Sequence, residues 1–369
     1  MDTKEYIVGK NIKATLDKEK MAIELYSDDG ELWIDWLERA NIQRYRITSI
    51  RVARGTVYLP ENFSGIYNNS HCAAFANMLN LKHIDMRGFN SSRVKNMSHM
   101  FKNCRKLQDL DLSGLDTSGV TNMQSMFSDC TSLRTLNLSS IDTSNVTNMS
   151  VMFMNCAQLK TLDIRHFNTS NVTDMQGMFY DCVGLNSLDL HGLNTAKATS
   201  MNSMFANCAD LTSLNLTGWN TSSVTDMGWM FNNCHGITHI DTSGFDTSNV
   251  TSMCYMFNGC SKLKELDLSN FDTSKVTAMT HMFGDCESLE TLDLSDFDTS
   301  NVKNMRRMFY NCVNITSIDL GNADMTNVVN LDNMFALCTK LKTLKINAIT
   351  NADAQADGVF DQCEGVKLI

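Results

Sequence analysis

Three sets of side chains have types and spacings that could carry chemistry: a ladder of thiols, a column of carboxylates, and a run of ring and guanidinium groups. The thiols come first. Cys104, Cys130, Cys156, Cys182, Cys208, Cys234, Cys260, Cys286, Cys312 and Cys338 stand 26 residues apart throughout. Thiolates bind metals, attack electrophiles or pair as disulfides, and each use needs a small, unequal set of partners. Ten copies at one interval fit none of these. Equal spacing instead places one position of every coil into the same stack of a solenoid. The parallel Cβ vectors of such a stack would strain any disulfide, the total of thirteen is odd, and no CxxC pair offers a zinc site. The ladder therefore reads as reduced thiols buried as small apolar groups. Cys72 and Cys254 lie off it, and Cys254, on the outer face, is the thiol most open to reaction.

The carboxylate column reads Asp85, Asp111, Asn137, Asp163, Asp189, Asn215, Asp241, Asp267, Asp293, Asp319 and Lys345. Stacked coils lie ~4.8 Å apart, and like charges at that distance repel by up to ~1 kcal/mol per pair before salt screening. Two readings stand. Asp111, Asp163, Asp189, Asp241, Asp267, Asp293 and Asp319 could form an acidic track for a basic peptide, an amine-bearing glycan or cations. Alternatively each Asp accepts hydrogen bonds in the turn that follows it, a role Asn137 and Asn215 could fill without charge. The second reading is the stronger. Another Asp/Asn column, from Asn90 and Asp116 to Asp324, is mostly followed by Thr-Ser and supplies turn and cap groups.

The third set is a column of variable residues: His99, Ser125, Val151, Gly177, Ser203, Trp229, Tyr255, His281, Arg307 and Asn333. Repeated positions build a scaffold, so specificity belongs at positions that vary. Trp229, Tyr255, His281 and Arg307 occupy consecutive coils, as in an interface hot spot or a sugar-stacking platform. A partly buried ridge with no ligand is the plainer alternative. No nucleophile–base–orienter set, HExxH, Walker loop or GxGxxG is present, and the eight histidines are scattered. The chain is read as non-enzymatic, with no cofactor and no metal.

The elements that position these groups follow from one coil, Cys104 to Asp129. Leu107, Leu110 and Leu112 outline a short half-buried strand. Val120, Met123, Met126, Phe127 and Cys130 recur at three and four, which predicts a short helix. Asp116-Thr117-Ser118 lies between them as turn and cap. The Phe and Met columns, including the unbroken one from Met100 to Met334, read as core, as does Trp219 in a column of Leu, Ile and Phe. One coil buries too little apolar surface to stand alone, so stability is collective and the ends need caps.

Residues 1–77 read as an N-terminal cap and lead-in, 78–347 as the array, and 348–369 as an irregular last repeat or truncated end. Within the cap, Ala22–Tyr26 and Glu31–Ile34 predict a hairpin turning at Asp28-Asp29-Gly30, and Ile47–Val52 and Thr56–Leu59 predict strands. Near the end, Phe360, Cys363, Val366 and Ile369 match Phe335, Cys338, Leu341 and Leu344 after a one-residue deletion. The sequence stops inside that strand, which reads as a fragment of a longer protein or as a segment folding back as a cap.

The net charge of −10 and pI near 5.2 argue against nucleic acid or an anionic membrane as partner. No apolar run reaches ~18 residues, so no membrane insertion is expected. The start lacks a signal-peptide pattern.

The unit Leu-x-x-Leu-Asp-Leu-Ser-x-Phe-Asp-Thr-Ser-x-Val-Thr-x-Met-x-x-Met-Phe-x-x-Cys is nearly intact at Leu263–Cys286 and Leu289–Cys312. It resembles the 26-residue repeat of BspA-like bacterial surface proteins with leucine-rich-type repeats, over about residues 75–369. The resemblance implies an α/β solenoid: a leucine-rich-repeat-like right-handed superhelix, parallel sheet on one face and short helices on the other. It implies a bacterial cell-surface or secreted adhesin or host-interaction module, whose partner is a host or microbial surface protein or glycan. The alternative is a cytoplasmic or secreted effector-type protein-interaction scaffold.

Overall fold

The computed structural model describes residues 3–63, 74–321, 323–346 and 354–369. Cys72 and the first part of the irregular 348–369 segment lie outside them. Two compact units divide the chain, Met1–Val172 and Thr173–Ile369, and the division falls inside the repeat array.

The N-terminal unit opens with two long strands, β1 (Thr3–Asp17) and β2 (Ala22–Leu32), paired antiparallel from Gly9↔Leu32 to Asp17↔Ala22. The hairpin is thus between β1 and β2, not at Asp28-Asp29-Gly30, which lies within β2. The turn chemistry there serves an irregular register instead. Asn11 and Asp29 take positive φ values of 56° and 52°, and the ladder shifts between Lys10 and Ile12. A Cβ on Gly30 would stand 2.0 Å from the Lys10 carbonyl oxygen, and one on Gly9 would stand 2.2 Å from that of Glu31. Glycine is there because the two backbones meet.

A four-residue helix α1 (Trp36–Arg39) follows, then β3 (Ser49–Arg54) and β4 (Val57–Tyr58) close to the expected positions. Both run parallel to β2, and they pair in turn with β5 (His83–Ile84) and β6 (Phe89–Asn90). The parallel stacking therefore begins at β2. It continues through β7 (Asp109–Asp111) and β8 (Thr135–Asn137), which pair in register, Leu110 against Leu136. In the C-terminal unit β9 (Ser187–Asp189) pairs with β10 (Ser213–Asn215). Further on, β11 (Thr291–Asp293), β12 (Ser317–Asp319), β13 (Thr343–Lys345) and β14 (Lys367–Leu368) form one parallel sheet. Each unit is a parallel β-solenoid. At the chain's end Leu368, not Ile369, stands opposite Leu344, one residue off the register read from the sequence. Phe360 and Cys363 keep theirs: Phe360 stacks on Phe335 at 5.4 Å, and the Cys363 thiol donates to the Phe335 carbonyl.

The expected helices on the other face are absent. Among the described residues α1 is the one α-helix. Along the Met97–Cys104 segment, alternate N–H groups leave the coil. Met97, His99, Phe101 and Asn103 donate to the carbonyls of Asn122, Gln124, Met126 and Ser128 at 2.7–2.9 Å. The N–H groups of Met100, Lys102 and Cys104 close turns onto Met97, His99 and Phe101. His99 and Asn103 take left-handed conformations, φ 61° and 62°, which no helix permits. An isolated helix of two or three turns is marginal, whereas coil-to-coil bonding gives these donors partners all along the stack. Tandem turns bring residues three and four apart to one side just as a helix does, so periodicity could not separate the two.

The second left-handed position mostly carries residues that tolerate it: Asn77, Asn103, Asp129 and Asn155 in the first unit, Asp181, Asn207, Asn233 and Gly259 among those in the second, with Leu337 at φ 67° the exception. Their side chains form a ladder of their own. Asn103 Nδ2 donates to Asn77 Oδ1 at 2.7 Å, and Asn207 Nδ2 to Asp181 Oδ1 at 2.6 Å.

Val, Met, Phe and Cys columns fill the interior at essentially zero exposure, and Trp219 is buried among them. Phenylalanine rings stack from coil to coil, at 5.6–6.0 Å from Phe75 to Phe153 and at 5.3–5.8 Å from Phe179 to Phe335. The N–H groups of Val57, Leu59 and Phe63 donate to the carbonyls of Gly88, Asn90 and Asn96 in the coil that follows. Two cap side chains donate to that coil at its Ala74–Ala76 turn: Trp36 Nε1 to Ala74 O at 3.0 Å and Arg44 Nη1 to Ala76 O at 2.7 Å. Ala74 and Ala76 are the equivalents of Met126 and Ser128, whose carbonyls accept from the coil before.

Candidate functional site

The thiol ladder is sealed. Each described ladder cysteine is free and buried. Beyond filling space, the thiols donate to the Phe carbonyl of the preceding coil: Cys104 to Phe75 at 3.1 Å, Cys234 to Phe205 at 3.1 Å, Cys338 to Phe309 at 3.0 Å. Burial pushes the Cys104 and Cys234 thiols up to about 12, so no thiolate is available for attack or metal binding at neutral pH. Cys254 is half-buried. Among the described residues no group of three His, Cys, Asp or Glu could hold a metal.

On the strand face of each unit, paired strands set the Asp/Asn residues in register: Asp111 opposite Asn137, Asp189 opposite Asn215, and Asp293 opposite Asp319. Every candidate carboxylate accepts the N–H two residues on: Asp111 from Ser113, Asp163 from Arg165, Asp189 from His191, Asp241 from Ser243, Asp267 from Ser269, Asp293 from Ser295 and Asp319 from Gly321. Asn137 and Asn215 accept from Ser139 and Thr217 in the same way. Such bonds hold the carboxylate form, and Asp111, Asp241, Asp267 and Asp293 are accordingly lowered. The Arg165 guanidinium holds Asp163 at about 2.

The column is not uniform. Asp163 pairs with Arg165 at 2.9 Å, Asp189 lies 2.8 Å from the His191 ring, and Asp319 lies 3.1 Å from Lys345. Among the described residues Asp241, Asp267 and Asp293 have no ion pair. With His239 and Glu265 they border a depression of about 590 Å³. The first unit has a counterpart of about 660 Å³, bordered by His83, Asp85, Arg87, Asp109 and Asp111.

The variable column is brought together most tightly. Trp229 and Tyr255 stack with ring centres 4.0 Å apart, and Tyr255 and His281 at 4.6 Å, with interplanar angles of 17° and 10°. The Arg307 guanidinium lies over the Tyr310 ring at 4.9 Å, and Tyr310 is 6.4 Å from His281. Tyr310 was not among the sequence candidates. Its signal was the three-residue separation from Arg307, which a turn closes (Tyr310 N–H to Arg307 O, 3.1 Å). Because the rings stack coil on coil, they use their faces on one another and turn their edges to solvent. Burial, then the neighbouring Arg307 charge, push His281 down to about 4. His281 Nδ1, Arg307 Nε and Asn258 Oδ1 are buried without a hydrogen-bond partner.

The backbone under this ridge is the first left-handed position of the coil. Trp229, Tyr255, His281 and Arg307 have φ values of 61°, 59°, 53° and 55°. Other coils place His99, Ser125, Val151, Gly177, Ser203 and Asn333 there at similar φ, 48–61°.

Stacked coils of one length, parallel strands on one face and inter-coil turns on the other define a leucine-rich-type repeat protein. The chain belongs to the family described as "Mycoplasma protein of unknown function, DUF285", whose model matches residues 69–162, 135–240 and 225–348. That family carries the BspA-like repeat read from the sequence. No curated protein matches the chain. Among solved structures it is similar to a leucine rich cell surface protein from Faecalibacterium prausnitzii A2-165, 15% identical over 99% of this chain and 94% of that one, TM-score 0.34. An LRR protein of Leptospira interrogans is 13% identical over 88% of this chain and 90% of that one, TM-score 0.24. The plant peptide hormone receptor RGFR1, in complex with RGF2, is 12% identical over 88% of this chain and 51% of that one, TM-score 0.27. Among the described residues no helix is long and apolar enough to cross a membrane.

Proposed function

We propose that the chain is a non-enzymatic bacterial cell-surface interaction module of the adhesin kind, holding a protein or glycan of a host or another microbe. The ridge Trp229–Tyr255–His281–Arg307 is its contact surface. One observation carries the reading. Four consecutive coils hold large side chains at a left-handed backbone position, which costs ~1–2 kcal/mol each for a residue with a Cβ. Elsewhere in the column Ser125, Gly177, Ser203 and Asn333 do the scaffold's work, and His99 and Val151 stand as isolated larger residues. A run of four large residues in consecutive coils, with their rings stacked, marks function better than such single cases do. The Asp column, by contrast, is occupied by its own turns.

The test replaces Trp229, Tyr255 and Arg307 together by asparagine, which tolerates this conformation. Relieved strain offsets lost stacking of ~0.5–1.5 kcal/mol per aromatic pair, so the variant stays folded. Binding to matrix proteins, mucins and intact host cells should disappear and should depend little on salt before it does. Binding kept by the variant but abolished by salt would move recognition to Asp241, Asp267 and Asp293. Failure of the unaltered chain to bind any of them would leave the effector-type scaffold as the reading.

A further inference from the structure

The aromatic stack has one open end. Tyr255 covers one face of Trp229, and the other face is turned toward the preceding coil, where the same position is held by Ser203. The two coils are in direct register, since Ser203 N–H donates to the carbonyl of Gly228 at 2.9 Å. Serine is too small to cover an indole, and its hydroxyl is turned aside to Asn202 Oδ1 at 2.6 Å. Trp229 accordingly keeps 39% of its surface exposed, while Tyr255 and His281, inside the stack, are half-buried. The two coils before Trp229 carry only Ser203 and Gly177 at this position, so no large side chain of the column stacks on that face.

The rim of this notch is polar and already ordered. Asn202 Nδ2 donates to Asp226 Oδ2 at 3.0 Å, and Asp226 Oδ1 accepts from the Gly228 N–H at 2.8 Å. Gly228 carries no side chain above that pair; a Cβ there would sit 3.1 Å from Asp226 Oδ1 and 3.2 Å from Asn202 Nδ2. An amide and a carboxylate beside an open indole face offer both donors and acceptors to a ring whose edge carries hydroxyls and whose face carries C–H groups. The carboxylate, on a chain of net charge −10, disfavours an anionic ring.

We infer that the notch above Ser203 is a subsite for one neutral pyranose, stacked on the free face of Trp229 with its hydroxyls on Asn202 and Asp226. The inference rests on the ridge being a contact surface and names what its open end holds.

The test uses the full chain with soluble neutral oligosaccharides (cellotetraose, tri-N-acetylchitotriose, lacto-N-tetraose) and sialyllactose. Binding is read by saturation transfer to sugar C–H protons and by indole emission. Trp36 and Trp219 are buried and Trp33 lies beneath Arg39, which leaves Trp229 as the reporting indole. At least one neutral sugar should bind, sialyllactose more weakly. Affinity should fall about tenfold or more in Trp229→Ala. Ser203→Trp should block binding equally by filling the notch while the protein stays folded. The proposal is overturned if no neutral sugar binds at millimolar concentration, or if both variants bind as the parent does. Host-cell binding that is lost in the asparagine variant yet untouched by excess sugar would overturn the subsite alone and leave the ridge standing. Sugar binding without host-cell binding would do the reverse.

Discussion

Phe231→Ala should show how far the molecule depends on its phenylalanine stack. Phe231 has no exposed surface, and its ring lies between Phe205 at 5.6 Å and Phe257 at 5.7 Å, nearly parallel to both. Deleting a buried phenyl group costs ~3–5 kcal/mol, of which two stacked contacts contribute ~0.5–1.5 kcal/mol each. Phe360 is the comparison. It is 38% exposed and stacks on Phe335 alone, at 5.4 Å. Its truncation should cost ~1–2 kcal/mol. The two variants should therefore differ by ~1–4 kcal/mol, at least about fivefold in the folding equilibrium. Urea unfolding followed by far-UV circular dichroism measures the pair, with native-state hydrogen exchange to catch unfolding of part of the array. A Phe360 cost equal to or above that of Phe231 would refute the reasoning, because the stack would then not be the cooperative core.

Two further outcomes follow from the cap and the ridge. Arg44→Ala removes a buried side-chain donor to Ala76 O, so stability should fall by ~1–3 kcal/mol and the amides of residues 74–81 should exchange faster; unchanged protection there would show that this contact is dispensable. His281 has a folded pKa of about 4, below its ordinary value of 6.5, so the unfolded chain binds more protons between those values. Its contribution is full above pH 6.5 and is lost as pH falls toward 4; the urea midpoint of His281→Asn should drop less steeply over that window than the parent's, and equal slopes would contradict the assignment.

Much was legible in the sequence because a solenoid writes its geometry as repetition. The 26-residue period of Cys, Phe and Met, the inward Leu residues and the turn Asp residues each occupy one place on the coil, and one coil determined the rest. The Asp column's local bonding was legible too, since Asn137 and Asn215 keep the acceptor and drop the charge. Two errors share a cause. The helix expected at Val120–Cys130 and the hairpin expected at Asp28-Asp29-Gly30 both rested on short-range signals that two structures can produce. Tandem turns give the same apolar spacing as a helix, and a glycine serves a close strand crossing as well as a turn.

Sequence alone thus determined the repeat, the core columns and the positions free to vary, because burial depends on which residues recur at one phase. Only the tertiary structure decided how alternate backbone N–H groups are shared, since a donor's partner lies a full coil away. That choice sets the left-handed backbone at position 229 and its equivalents. It turned four separate residues, Trp229, Tyr255, His281 and Arg307, into one ridge with an open end.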